Sequence, residues 1–201
     1  MGAEAKKTPL NSRLMLTAAV TIAVLSSLFA FLFLRSRRTT PIDVEAGASM
    51  ELKSTSFPDG ASIPSRYTCD GAGVSPSLEW SGAPAATKSF ALILHDPDAP
   101  VDFTHWLAYD IPGDLHQLAE GASTDGAMPK GAVEGMNGFR RMGYGGPCPP
   151  AGKPHRYIFL LYALDESLGL TAGATREQVE SAMRSHIVAS GKLTGTYSRG
   201  E

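Results

Sequence analysis

Residues 156–164, Arg-Tyr-Ile-Phe-Leu-Leu-Tyr-Ala-Leu, are apolar on both faces of an extended chain. Such a run, bounded by Pro154 and Asp165, is satisfied as a central strand covered on each side, so the fold must supply layers above and below it. Shorter runs of strand character precede it over 51–56, 77–80, 89–95 and 105–111, each ending at Pro, Gly, Asp or Ser. The 21 Gly and 14 Pro fall between these runs and read as turns of a β-rich fold rather than as a disordered tail. The expected architecture is mainly β, an antiparallel β-sandwich with peripheral helices, joined to one N-terminal transmembrane helix.

One segment breaks the strand pattern. Thr175 followed by Gln178 has the form of a capping box, and Val179, Met183 and Ile187 recur at helical spacing. This predicts a surface helix that ends before Gly191. The stretch 113–136 is dominated by Gly and small residues and is expected to cross the surface as a loop.

Ahead of these runs, Leu14 to Leu34 carries no charge and is long enough to cross a bilayer as a helix. It reads as a membrane anchor or uncleaved signal anchor. Against a cleaved signal, the apolar run leads straight from Phe29, Phe31 and Phe33 into Arg35, Arg37 and Arg38. The organisation expected is a tail (1–13), a span (14–34), a linker without periodicity (35–49) and one folded domain (50–201). Lys6, Lys7 and Arg13 before the span balance the arginines after it, so charge alone does not orient it. A single-pass membrane protein with its domain on the extracytoplasmic side is the placement expected. The net charge of −2 leaves no basic field to hold nucleic acid.

Polar residues gather at the strand ends. Leu92-Ile93-Leu94 runs into His95-Asp96-Pro97-Asp98-Ala99-Pro100, and His105-Trp106-Leu107 follows. Pro97 and Pro100 stiffen the turn and so fix where its carboxylates point. Asp98 is expected to brace that turn through its own backbone, Asp96 to belong to a site. Later, the Pro/Gly loop Gly145-Gly146-Pro147-Cys148-Pro149-Pro150 leads to His155 and Tyr157 at the head of the central strand. Singly, each histidine is a strand-end residue satisfied by a carbonyl. Two of them with an acid, if they meet, make a small polar pocket. His95, His116 and His186 need no such role, and Arg140-Arg141 reads as a solvated or bracing pair that could flank an anion.

The ordered motifs YTCDG (Tyr67–Gly71), SPSLEW (Ser75–Trp80), DPDAP, HW, GGPCPP and HRY resemble the phosphatidylethanolamine-binding proteins, most closely the bacterial branch labelled Raf-kinase-inhibitor-like, over roughly residues 50 to 199. The resemblance implies a pocket for phosphate esters or phospholipid headgroups, lined by Asp96, His105 and His155 with Tyr157, Gly146 and Pro147 beside them. Imidazole N–H groups would donate to phosphate oxygens, and Gly145-Gly146 would leave backbone N–H groups unshielded for the same purpose. Asp96 would hold a histidine in its donor tautomer or accept from an ammonium headgroup. Cys69 and Cys148, both near this pocket, would form a disulfide in an oxidising compartment or remain two thiols in a reducing one.

The reading is binding without turnover, with neither metal nor cofactor: HExxH, GxSxG and an ordered Ser/His/Asp signature are all missing from the sequence. A protein-interaction module that inhibits a kinase or protease is the alternative, and a hydrolase is the less favoured one.

Overall fold

A computed structural model describes residues 48–124 and 127–200. Its strands are β1 (Ala48–Ser49), β2 (Glu51–Lys53), β3 (Leu78–Ser81), β4 (Ser89–Asp96), β5 (Phe103–Pro112), β6 (Gln117–Leu118), β7 (Val133–Glu134), β8 (His155–Leu164) and β9 (Ile187–Tyr197). One α-helix, α1 (Arg176–Met183), and a 3-10 turn at Ser65–Tyr67 complete the regular structure of the described residues. Strands β1-β9-β8-β4-β5-β7 form a six-stranded sheet and β2-β3-β6 a three-stranded one.

The doubly apolar run lies within β8, with β4 on one side and β9 on the other. Its first face, Tyr157, Phe159, Leu161 and Ala163, joins Phe90, Leu92, Leu94 and Trp106 against Leu52, Leu78, Trp80 and Leu118 of the small sheet. Its second face, with Tyr162 and Leu164, joins Ile93, Leu107 and Tyr109 beneath Val179 and Met183 of α1. Nearly all of these side chains are fully buried. Each large apolar side chain among them is worth about 1.5–3 kcal/mol in transfer from water, so the two apolar faces dictate a sheet with a second sheet on one side and a helix on the other.

Several details depart from the sequence expectation. The sandwich is not wholly antiparallel, because β1 runs parallel to β9 with Ala48 opposite Ala189. The last residues assigned to the linker therefore lie in the sheet, and Met50 N donates to Ser190 O at 2.8 Å. The helix stops at Met183, and Ile187 instead opens β9, opposite Leu164. Strand β9 was hidden by Gly191 and Gly195, which weaken any strand signal. Both are there because other chain lies close: a Cβ on Gly195 would sit 2.5 Å from Ile63, and one on Gly191 3.0 Å from Met50 O. The strand expected over 51–56 is β2 and ends at Lys53, and the loop 113–136 carries the short edge strands β6 and β7. Thr175 and Gln178 do form the capping box, each side chain bonded to the other's backbone N–H. The apolar segment 14–34 lies outside the described residues; among those, no helix is long and apolar enough to cross a membrane.

Candidate functional site

The site forms where β5, β4 and β8 end side by side. Asp96 is the last residue of β4, and Pro97 starts a turn that Asp96 itself caps: its Oδ1 accepts from the N–H groups of Asp98 (2.9 Å) and Ala99 (3.1 Å). Its other oxygen accepts from His155 Nδ1 at 2.7 Å. The carboxylate is 3% exposed, and three donors compensate for its burial. The division of labour between the two acids differs from the sequence expectation. Asp98 braces no backbone of its own turn but reaches across to β8, where it accepts from Arg156 N (2.9 Å), Nε (2.9 Å) and Nη2 (2.6 Å). The Arg156 guanidinium holds the Asp98 carboxyl down at about 2.

His105 arrives by a different device. Leu94 pairs with Trp106 but His95 pairs with Thr104, which leaves His105 as the extra residue of a β-bulge. Regular alternation would place it on the face opposite Trp106. The bulge turns it to the same side, where its ring stands 5.1 Å from Tyr157 and is edged by Phe103 (5.0 Å) and Phe139 (5.5 Å). These edge-to-face contacts fix the ring plane. Its Nδ1 donates to Gly145 O at 2.7 Å while Gly145 N donates back to His105 O at 2.8 Å. Burial pushes the His105 pKa down, only partly offset by the Gly145 carbonyl and the Asp96 charge. The ring is thus held neutral, with its remaining nitrogen Nε2 an acceptor.

The glycines of the loop act through close approach. A Cβ on Gly145 would stand 2.5 Å from the Phe139 ring, and one on Gly146 2.8 Å from Tyr67 O. The Gly145 N–H belongs to the clamp on His105, so it is not the unshielded donor that the sequence had led us to expect. Three further ties hold the loop to residues 67–69. Cys69 N donates to Pro147 O at 3.0 Å, Tyr144 donates from its hydroxyl to Tyr67 O at 2.7 Å, and Cys69 is disulfide-bonded to Cys148. With its sulfur in that bridge, Cys148 offers no thiolate nucleophile.

Tyr157, the third residue of β8, completes the grouping. Its ring is fully buried. Burial, and after it the nearby Asp96 charge, raises its phenol well above the ordinary value. The hydroxyl nevertheless makes no hydrogen bond of normal geometry to any described residue. The structure thus joins Asp96 to His155 directly and His105 to Tyr157 by ring contact, with Gly146 and Pro147 on the loop behind. Phe103 and Phe139, the aromatic walls of His105, were missed in the sequence because nothing in a lone Phe near Gly138 announces a contact across strands. Arg141 lies with its guanidinium 5.4 Å from the Phe139 ring centre.

The neighbouring His95 points elsewhere. It shares Asp102 (2.6 Å) with Arg176, which also holds Glu180 (2.6 Å), so the chain of charges ties α1 to the end of the sheet. A cleft of about 340 Å³ opens beside it, bordered by Val101, Phe103, Met136, Thr175 and Arg176, and contains none of the polar groups of the site. Among the described residues no group of three or more His, Cys, Asp or Glu is placed to hold a metal ion.

Known proteins share this arrangement of strands. The family model of the phosphatidylethanolamine-binding proteins matches residues 53–198. A UPF0098 protein of Methanothermobacter thermautotrophicus is 50% identical over 152 residues, 75% of this chain and 100% of its own length. One of Aquifex aeolicus is 48% identical over 161 residues, 76% of this chain and 91% of its own. Among solved structures, YbcL of Escherichia coli, described as a member of the mammalian phosphatidylethanolamine-binding protein family, has a TM-score of 0.72 at 33% identity. A homologue of the same family from Chlamydia trachomatis has a TM-score of 0.69 at 39% identity. Each of the two covers 76% of this chain and 99% of its own.

Proposed function

The chain belongs to the phosphatidylethanolamine-binding protein family, and on that premise we propose that its domain binds phosphate esters or phospholipid headgroups between Asp96, His105, His155 and Tyr157, without turnover. The observation that carries this reading is the Tyr157 hydroxyl, buried and without a partner among the described residues. An unpaired buried hydroxyl costs about 1–3 kcal/mol, and a ligand oxygen at that point would recover it. Two imidazole nitrogens, the Nε2 atoms of His105 and His155, are left over by the internal bonds of their rings.

Calorimetric titration of the full chain with O-phosphoethanolamine tests this. Binding to the native protein is expected, with its loss in His105→Ala and in His155→Ala. Equal affinity in all three would remove the pocket from consideration, and release of inorganic phosphate by the purified protein would replace binding with hydrolysis. We also infer that the apolar segment 14–34 anchors the chain and that the domain faces an oxidising compartment. The Cys69–Cys148 bridge supports this placement. Protease protection of the domain in sealed inverted membrane vesicles is the expected result, and its digestion there would reverse the orientation.

A further inference from the structure

Taken as the anion site just described, the grouping of Asp96, His105, His155 and Tyr157 has an unusual inventory of unbonded atoms. His105 uses its Nδ1 proton on Gly145 O and His155 uses its own on Asp96, both at 2.7 Å. No described residue bonds either Nε2. In a neutral ring protonated at Nδ1, Nε2 accepts and does not donate. Both Asp96 oxygens are engaged, by Asp98 N, Ala99 N and His155. What remains for a ligand is two acceptors and the Tyr157 hydroxyl. A fully ionised phosphate, which brings only acceptors, would face both imidazole nitrogens lone pair to lone pair.

We propose that the site therefore selects phosphate monoesters over phosphodiesters, taking them in the form that still carries one proton. A monoester loses its second proton at a pKa of about 6, so near neutral pH it can present a P–OH group to Nε2. A diester has no such hydrogen, and an intact phospholipid is a diester. The proton stays on the ligand oxygen and is shared with Nε2. No bond to phosphorus forms or breaks. The complex then holds one proton more than the free dianion and the unfilled site, so filling the site takes up a proton. The groups beside His155 are Asp96 and Asp98 from the turn after β4, the adjacent Arg156, which is paired with Asp98, and Tyr157 two residues on, whose ring meets His105. From β9 the register partner of His155 is Tyr197, bonded to Asp70, which in turn pairs with Arg199.

The test is calorimetry on the full chain at pH 6 to 8, in two buffers of different ionisation enthalpy, with O-phosphoethanolamine, dimethyl phosphate and ethanolamine as probes. The monoester is expected to bind with uptake of about one proton at the alkaline end and to weaken about tenfold per pH unit there. Dimethyl phosphate and ethanolamine are expected to bind at least about tenfold more weakly, the loss that one unmatched buried polar contact brings. His105→Gln and His155→Gln, which remove the imidazole Nε2 acceptors, should abolish the uptake. Equal binding of monoester and diester overturns the selectivity while leaving the anion site intact. Ethanolamine binding as tightly as the phosphate ester overturns it in favour of ammonium recognition. If neither phosphate compound binds, the anion site falls and the selectivity with it.

Discussion

Breaking the Cys69–Cys148 bridge perturbs the unfolded chain far more than the folded one. The two half-cystines are 79 residues apart in sequence, and closing a loop of that length removes unfolded-state entropy worth about 4–5 kcal/mol at 25 °C in the chain-entropy model. In the folded state the same two segments stay joined without it, by Cys69 N to Pro147 O and by the Tyr144 hydroxyl to Tyr67 O. Both cysteines are exposed, so a thiol reductant reaches the sulfurs without prior unfolding. Urea unfolding of the oxidised protein, the reduced protein and the Cys69→Ser/Cys148→Ser variant should then give one high midpoint and two low ones. With a slope near 2 kcal/mol per molar urea, the expected separation is about 2 M. The near-ultraviolet spectrum of the native state should be unchanged. A separation under about 0.5 M would refute the reasoning, because it would mean that the unfolded chain already holds these segments together or that the folded loop is strained by the bridge.

Gly146→Ala should lose about 1–3 kcal/mol in thermal unfolding, since its Cβ would meet the backbone of Tyr67 and Thr68 at 2.8 to 3.0 Å and backbone yields little; an unchanged midpoint would show that the loop can shift. Asp98, held at about 2 in the folded state by Arg156, contributes stability that is present above the ordinary carboxyl value of about 3.9. That contribution is lost as pH falls towards 2, so Arg156→Met should flatten the acid limb of a stability–pH curve in this window and lower the curve by a constant amount above pH 5. His105 behaves in the opposite range: burial depresses its folded pKa, so the unfolded ring takes its proton first as pH falls below about 6.5. Urea midpoints measured at pH 7.5 and pH 5 should therefore differ more in the native protein than in His105→Gln, and parallel curves would contradict a desolvated neutral ring.

What the sequence made legible is what alternation and punctuation can carry. The run at 156–164 shows its central position because both of its faces are apolar, and Thr175 with Gln178 shows a helix start because capping is local in sequence. Asp96, His105 and His155 stand out because the stiff Pro turns and strand ends concentrate polar groups where apolar runs stop. The missing parts are those decided by neighbours distant in the chain. Strand β9 needs Gly195 because Ile63 crosses it, and Gly191 because Met50 does, and neither contact leaves a trace in the residues around the glycines. Asp98 is paired with Arg156, 58 positions away, so the local tendency of Asp beside Pro to brace its own turn misassigns it. Likewise, nothing around His105 signals the bulge, although the bulge decides which way its ring faces.

That bulge is also the reason the two halves of the site depend on each other. In a regular ladder a residue turns its carbonyl in the plane of the sheet and its side chain out of it, so the two address different neighbours. At His105 both reach the same residue: the carbonyl accepts from Gly145 N and the ring donates to Gly145 O. Rotating the ring to turn its N–H towards a ligand would forfeit that bond and set Nε2 against a carbonyl oxygen, a loss of about 1–3 kcal/mol in a buried setting. The contacts with Phe103, Phe139 and Tyr157 oppose the rotation as well. His155 is fixed in the same sense by Asp96, whose second oxygen is committed to the turn. The ligand therefore meets acceptors whose direction was set by strand register, loop and turn before it arrived, and the hydrogen that completes the contact has to come with the ligand or from solvent.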